Sequence, residues 1–265
     1  MRKILLFTLL FLCSYAAVAQ VVSDSVKYRF AYDVFYTNTV EGGKKTDVCY
    51  LDIGERCSHF YSWQERRKQE IIDSINRTSS VSIELVRKST EGFHGQSYHV
   101  YKGLPDGGRL THVSGFGFPF IYDEPMPSLD WQMEQRDTTI LGYSCQAATA
   151  ELRGRTWRVW YTEEIPIADG PWKLCGLPGL ILKADDTEGY FGFCCIGVEN
   201  GNKETIQLNR KEMTACDPLE LQRNNIKKII NPLSMTSVDI EQFERRYGPV
   251  QVPTPVLMED YEQKR

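Results

Sequence analysis

Between Trp131 and Glu199 the chain alternates short runs of period-two side chains with glycine-bearing turns, and this rhythm constrains the fold more than any other feature. In GYSCQAATAELRGRTWRVWYTEE, the residues Ala147, Thr149 and Glu151 alternate with Ala148, Ala150 and Leu152; RGR then reverses the chain and TWRVWYT returns. LILKADD and YFGFCCIGVE repeat the pattern about a TEG turn. Upstream, VKYRFAYDVFYT (26–37) puts Tyr28, Phe30 and Tyr32 on one side, EGGKK turns, and DVCYLDI and CSHFYSW follow as two more strands. SYHVYKG, RLTHVSG and FGFPFIYDE are equally short, and PDGG (105–108) marks the sharpest reversal. A two-residue period suits a pleat and not a helix, so the sequence predicts a mainly β protein with peripheral helices, α+β in class. So many strands in one flat sheet would leave a long open edge, and a large curved antiparallel sheet or half-barrel is expected.

Helical signals are confined to the periphery. QERRKQEIIDSINR (64–77) has the long charged side chains of a solvated helix. DPLELQRNNIKKII and SVDIEQFERRYG give a helical C-terminal segment (about 217–247), the first helix capped by Asp217 with Pro218 behind it; TIQLNR adds an edge strand. The opening MRKILLFTLLFLCSYAAVAQ has the plan of a secretory signal peptide over residues 1–19: Arg2 and Lys3, an apolar run, then Ala17-Val18-Ala19. Residues 20–265 are expected to form a single β-rich domain. The apolar run is shorter than the ~20 residues a membrane span requires, and no later segment is more apolar, so no integral membrane span is expected in the exported chain. Its formal charge of −4 becomes −6 without Arg2 and Lys3, which argues against a nucleic-acid partner.

Seven of the 8 cysteines follow the signal segment, and export permits disulfides among them. Cys49 and Cys57 flank the LDIGER hairpin, and Cys145 can meet Cys194 or Cys195 from a neighbouring strand; these five are the candidate disulfide partners. With no CxxC pair, and with His59, His94, His99 and His112 at no metal-ligand spacing, neither a metal nor a cofactor is expected.

CGLPGLILKADD (175–186) packs glycine and proline against leucine and isoleucine. Gly176 and Gly179 open backbone geometries closed to other residues, Pro178 fixes one φ angle, and Leu177, Leu180 and Ile181 supply an apolar body. The stretch therefore predicts a buried turn feeding a strand, approached by a rigid Pro171-Trp172 and ending with Asp185 and Asp186 in a solvated turn. A phosphate-cradling loop would need a Lys-Ser/Thr pair opening a helix, and none follows.

The order Gly142, Cys145, Trp160, the IPI-x-x-GPW run and then Gly176 to Ile181 resembles the GLPGLI family of exported Bacteroidetes proteins, over residues 142 to about 199. YRFAYDVFY near the N-terminus fits the same family. The resemblance implies an exported location, whether periplasmic, outer-membrane associated or extracellular, and pairing with TonB-dependent outer-membrane transporters; it implies no established activity. Cys175 departs from the family's usual small residue ahead of the hexapeptide. Under the same resemblance Asp24-Ser25-Val26, Asp73-Ser74-Ile75 and Asp137-Thr138-Thr139 look like O-glycosylation acceptors, expected in turns or loops.

The chain has no GxSxG, HExxH or cysteine-protease signature, and the carboxylates of Glu163, Glu164 and Asp169 have no partner at a mechanistic spacing. Aromatic residues are 12% of the chain, enough to line the concave face of a curved sheet for an apolar or sugar ligand. Trp160, Asp169 and Trp172 are the candidate binding residues; in a regular strand Trp157 and Trp160 must face opposite sides. The expectation is an exported envelope protein acting as a non-catalytic binding or assembly module, with an outer-membrane transporter or on an apolar or sugar ligand. A secreted hydrolase is the alternative.

Overall fold

The alternating segments become strands and the glycine-bearing breaks become their turns. The protein is described here from a computed structural model, over residues 22–40, 42–77, 87–88, 91–92, 95–115, 119–201, 203–231, 245 and 254–261. The strands are β1 (Val22–Ser25), β2 (Tyr28–Tyr36), β3 (Lys45–Ile53), β4 (Ser58–Ser62), β5 (Tyr98–Lys102), β6 (Arg109–Ser114) and β7 (Phe120–Pro125) in the first half. The second half carries β8 (Gln132–Ile140), β9 (Tyr143–Leu152), β10 (Arg155–Thr162), β11 (Leu180–Asp186), β12 (Phe191–Asn200), β13 (Thr205–Leu208) and β14 (Thr214–Ala215). Helix α1 (Trp63–Asn76) is capped by Ser62, whose hydroxyl accepts from the Glu65 amide. Helix α2 (Pro218–Ile230) is capped by Asp217, which accepts from the amides of Leu219 and Glu220.

Twelve strands form one curved, unclosed sheet in the order β14-β7-β6-β5-β4-β3-β2-β12-β11-β10-β9-β8. Two meanders, β2 to β7 and β8 to β12, join where β2 pairs with β12. The sheet is mixed rather than wholly antiparallel, because β14 lies parallel to β7. The turn from β9 to β10 holds Arg153 and Gly154 at φ of 47° and 82°, the two positive angles that a tight hairpin matches to strand twist. TIQLNR does not extend the main sheet: β13 pairs with β1 in a separate two-stranded ribbon.

Alternation sorts the side chains onto two faces. The inner face holds the main core, where Phe30, Tyr32, Leu51, Phe60, Val100, Trp157 and Phe193 are buried, and residues 163–179 lay Trp172, Leu174 and Leu177 against it. The Trp157 ring lies 5.5 Å from Trp172 and 5.8 Å from Phe193. The outer face of the first meander carries a smaller core, in which Tyr101, Val113 and Ile121 meet Val26, Ile206 and Leu208 around the β1–β13 ribbon.

The hexapeptide is a buried turn whose two glycines serve different ends. Gly176 has φ +92°, while a Cβ on Gly179 would overlap the carbonyl group of Thr162, so the second glycine answers a close approach of two backbones. Leu180 and Ile181 then enter β11, their amides donating to the carbonyls of Ile165 and Asp169 at 3.0 Å each.

Two expectations are corrected here. Asp186 is the last residue of β11 and not a solvated turn acid: it is 3% exposed and accepts from Arg155 at 2.6 Å and from the Phe191 amide at 2.8 Å. Only Asp185, on the opposite face beside Lys183 at 3.0 Å, is a surface acid. The candidate disulfides are absent, since Cys49, Cys57, Cys145, Cys194 and Cys195 are all free. Cys49 opposes Ser62 at the far end of the β3–β4 ladder from Cys57, which sits beyond the Ile53–Ser58 pair, so four residue pairs lie between the two thiols. Cys145 on β9 and Cys195 on β12 both face the inner core, and each is a free thiol.

Ser25, Ser74 and Thr138 lie in β1, α1 and β8, so none of the three acceptor-like triplets is centred on a loop. The expected signal segment (1–19) and, Arg245 apart, the second C-terminal helix (237–248) lie outside the described residues. Among the described residues no helix is long and apolar enough to cross a membrane.

Candidate ligand-binding cleft

β5, β6 and β7 run side by side, with Val100 opposite His112 and His112 opposite Tyr122. Period two therefore brings Tyr98, His112 and Tyr122 to the inner face of three neighbouring strands. The His112 ring stacks between the other two, 5.8 Å from Tyr98 and 4.9 Å from Tyr122, with interplanar angles of 25° and 12°. Because the rings cover one another's faces, the polar edges are what remain for the space beside them. The Tyr98 hydroxyl and His112 Nδ1 are buried and have no hydrogen-bond partner among the described residues, and His112 is only 7% exposed. Burial, reinforced by the charge of Lys173, holds the imidazole well below the usual histidine range, so it is neutral at physiological pH. Burial likewise raises the Tyr98 phenol, which stays protonated.

The three rings line a cleft of about 180 Å³. Its apolar walls include Trp172, Phe191, Leu221 and Met258, and Gln96 and Asn225 add uncharged polar groups. Helix α2 and the segment 254–261, here called the strap, form the side facing the sheet. The strap is pinned along its length: the Val256 amide donates to the carbonyl of Asn38 at 2.9 Å, Asp260 to Arg153 at 2.9 Å, and Tyr261 to the Gln222 side chain at 2.8 Å.

A charged knot closes one end of the cleft. Lys173, 1% exposed, donates to Glu124 at 2.6 Å, to Glu259 at 2.7 Å, and to the hydroxyls of Tyr261 at 2.9 Å and Tyr122 at 3.1 Å. Arg153 pairs with Glu124, lies 3.6 Å from Glu259 and covers the Tyr261 ring at 4.0 Å. Both carboxylates are thus held between two cations, an arrangement that binds the strap to the sheet.

The outer face of the same meander has its own cluster. His59 Nε2 and His99 Nδ1 are 3.0 Å apart, and the His59 ring stacks on Tyr61 at 4.4 Å and on Tyr101 at 4.0 Å. Arg29 grips Asp52 through two bonds of 2.6 and 2.7 Å and also reaches Glu204, whose carboxyl the hydrogen bond from Arg29 holds at about 2. Burial pushes His99 down to about 4.

The residues expected from sequence are not brought together. Trp172 lines the cleft with φ 52° and 1% exposure. Asp169 instead pairs with the buried Lys102 and borders a separate groove beside Tyr28 and Arg56. Trp160 lies on the outer face of β10, with the Lys183 ammonium 4.6 Å above its ring. Glu164 caps the Ser144 amide at 2.8 Å. Tyr98, His112, Lys173, Glu259 and Tyr261 were not anticipated; the signal for the first two was present in the matching inward positions of SYHVYKG and RLTHVSG. Among the described residues no group of three or more His, Cys, Asp and Glu side chains is placed to hold a metal ion.

A family model described as a protein of unknown function (Porph_ging) matches residues 153–183, the stretch from the β9–β10 turn through the hexapeptide. No curated protein sequence matches the chain. Among solved structures, the chain is similar to "Structure of PNGF-II in P21 space group", at 14% identity and a TM-score of 0.52, over 77% of this chain and 34% of that one. "Structure of PNGF-II in C2 space group" matches over the same shares with a TM-score of 0.50. The chain thus spans about a third of the length of those structures, and at this identity the likeness is one of fold.

Proposed function

We propose that this chain is an exported envelope protein whose work is to bind a small ligand in the cleft between the inner sheet face and the strap, without catalysing its turnover. The observation that carries the reading is that two residues lining an aromatic-walled cleft, Tyr98 and His112, each hold a buried polar atom, Oη and Nδ1, with no partner among the described residues. A polar group buried without a partner costs roughly 1–3 kcal/mol, a cost that a ligand hydrogen bond removes. Export, and a working place beside an outer-membrane transporter, are supported by the resemblance of the Gly142–Ile181 block to the GLPGLI proteins.

The test compares the purified protein with Leu221→Trp, which fills the cleft from the α2 side. Thermal melting is followed against a panel of small neutral ring compounds. A true ligand raises the parent's melting temperature in proportion to occupancy and leaves the filled variant unmoved. Equal responses from the two proteins would remove the cleft as the site, and consumption of a bound compound by the parent alone would turn the reading to the hydrolase.

A further inference from the structure

We infer that the ligand of the cleft is a neutral sugar ring, held through its hydroxyl groups by Tyr98 and His112; the inference rests on the cleft being the binding site. Size is the first argument. A hole of about 150 Å³ accommodates one six-membered ring, and the cleft offers about 180 Å³.

Charge is the second. Among the described residues no lysine or arginine lines the cleft, and its one acid, Glu259, is already gripped by Lys173 and Arg153. An ionised ligand would be desolvated there beside a knot whose charges are already paired with one another. The polar residues that line the space beside Glu259 are uncharged, Tyr98, His112, Gln96 and Asn225 among them.

Hydrogen-bonding capacity is the third argument, and it separates a sugar from a plain apolar ring. A hydrocarbon would fill the space but leave Tyr98 Oη and His112 Nδ1 without partners. A sugar hydroxyl both donates and accepts, so it satisfies a phenol and a neutral imidazole nitrogen at once. The apolar C–H face of the same ring has Trp172 and Phe191 to pack against.

The experiment uses the purified protein with Tyr98→Phe and His112→Phe, which keep the stacked rings and remove one polar atom site each. The probes are free glucose, galactose, mannose and N-acetylglucosamine, with glucuronate as the charged sugar and benzene as the apolar ring. Binding is read by protein-observed NMR, with circular dichroism to confirm that both variants are folded. The expected result is that at least one neutral sugar binds the parent and that each variant weakens it about tenfold, while glucuronate does not bind. Benzene binding equally to parent and variants, with no sugar binding, overturns the sugar and leaves the binding site standing. Glucuronate binding more tightly than every neutral sugar also overturns the sugar assignment. If no probe binds any of the three proteins, both the inference and the site reading fall.

Discussion

The two faces of the first meander use the same materials to different ends. On the outer face His59, Tyr61, His99 and Tyr101 stack across β4 and β5; on the inner face Tyr98, His112 and Tyr122 stack across β5 to β7. Outside, the polar edges are used up: His59 meets His99 at 3.0 Å, and the Tyr61 hydroxyl takes part in bonds with Asp52, Arg29 and Arg66 at 2.7–3.0 Å. Inside, the charged partners gather one strand further on, around Lys173 and Tyr122, and the edges of His112 and Tyr98 are left over. Stacking fixes ring orientation in both places. Whether a stack serves as cement or as a site is decided by whether a charged group comes within reach of its edge.

The largest test of this contrast is Lys173→Met. Removing one partner of a buried charge group costs about 3–5 kcal/mol, and urea unfolding is expected to register a loss of up to that order because Glu124 and Glu259 are left with Arg153 as their one cation among the described residues. Arg29→Met on the outer face strands Asp52 in the same way, with a loss of similar order. Only the inner variant should also release the strap, seen as accelerated hydrogen exchange at the Val256 and Tyr261 amides. Equal strap protection in both variants would show that the knot does not hold it.

The histidines of both faces supply a second test. His59, His99 and His112 all have folded pKa values lowered by burial, so the unfolded chain binds more protons than the native one below about pH 6.5. Their stabilising contribution is complete above that pH and is lost as pH falls, for His99 through about 4. Melting temperature should therefore begin to drop near pH 6.5, above the carboxylate range, and the double variant His59→Phe/His99→Phe should flatten the drop. A parent profile that stays level from pH 6.5 to 5 would contradict neutral burial on both faces.

Asp186 and Asp185 repeat the contrast within two adjacent residues. Asp186→Asn weakens a charge-assisted bond from half-buried Arg155 to a buried carboxylate and should cost roughly 2 kcal/mol; Asp185→Asn on the outer side should stay within about 0.5 kcal/mol. The smallest effect has the opposite sign. Tyr98→Phe removes an unpartnered buried hydroxyl and should stabilise the ligand-free protein by about 1 kcal/mol, whereas a purely structural tyrosine would be destabilised by the same change.

Local signals carried the architecture. The two-residue period located the strands, Asp217 with Pro218 located the start of α2, and the strand rule put Trp157 and Trp160 on opposite faces, as the register does. Readings that depended on a partner across the sheet did not survive so well. Asp186 resembles a turn acid until Arg155 is seen one strand away, and Cys49 and Cys57 look paired until the hairpin register separates them. The cleft was beyond such reasoning altogether. Lys173 and Glu259 are 86 residues apart and Tyr122 and Tyr261 are 139, and no spacing in the chain encodes those meetings.

The strap has a consequence in time as well as in space. It joins Asn38 and Val40, at the end of β2, to Val256 and Thr254, with nearly the whole described chain between them. Contacts so remote in sequence require closure of a very long loop and form slowly. A chain made from its N-terminus has all twelve main strands before the strap exists. Until the strap docks, Lys173 lacks one of its two carboxylates, so the cleft cannot be complete before the strap closes over it.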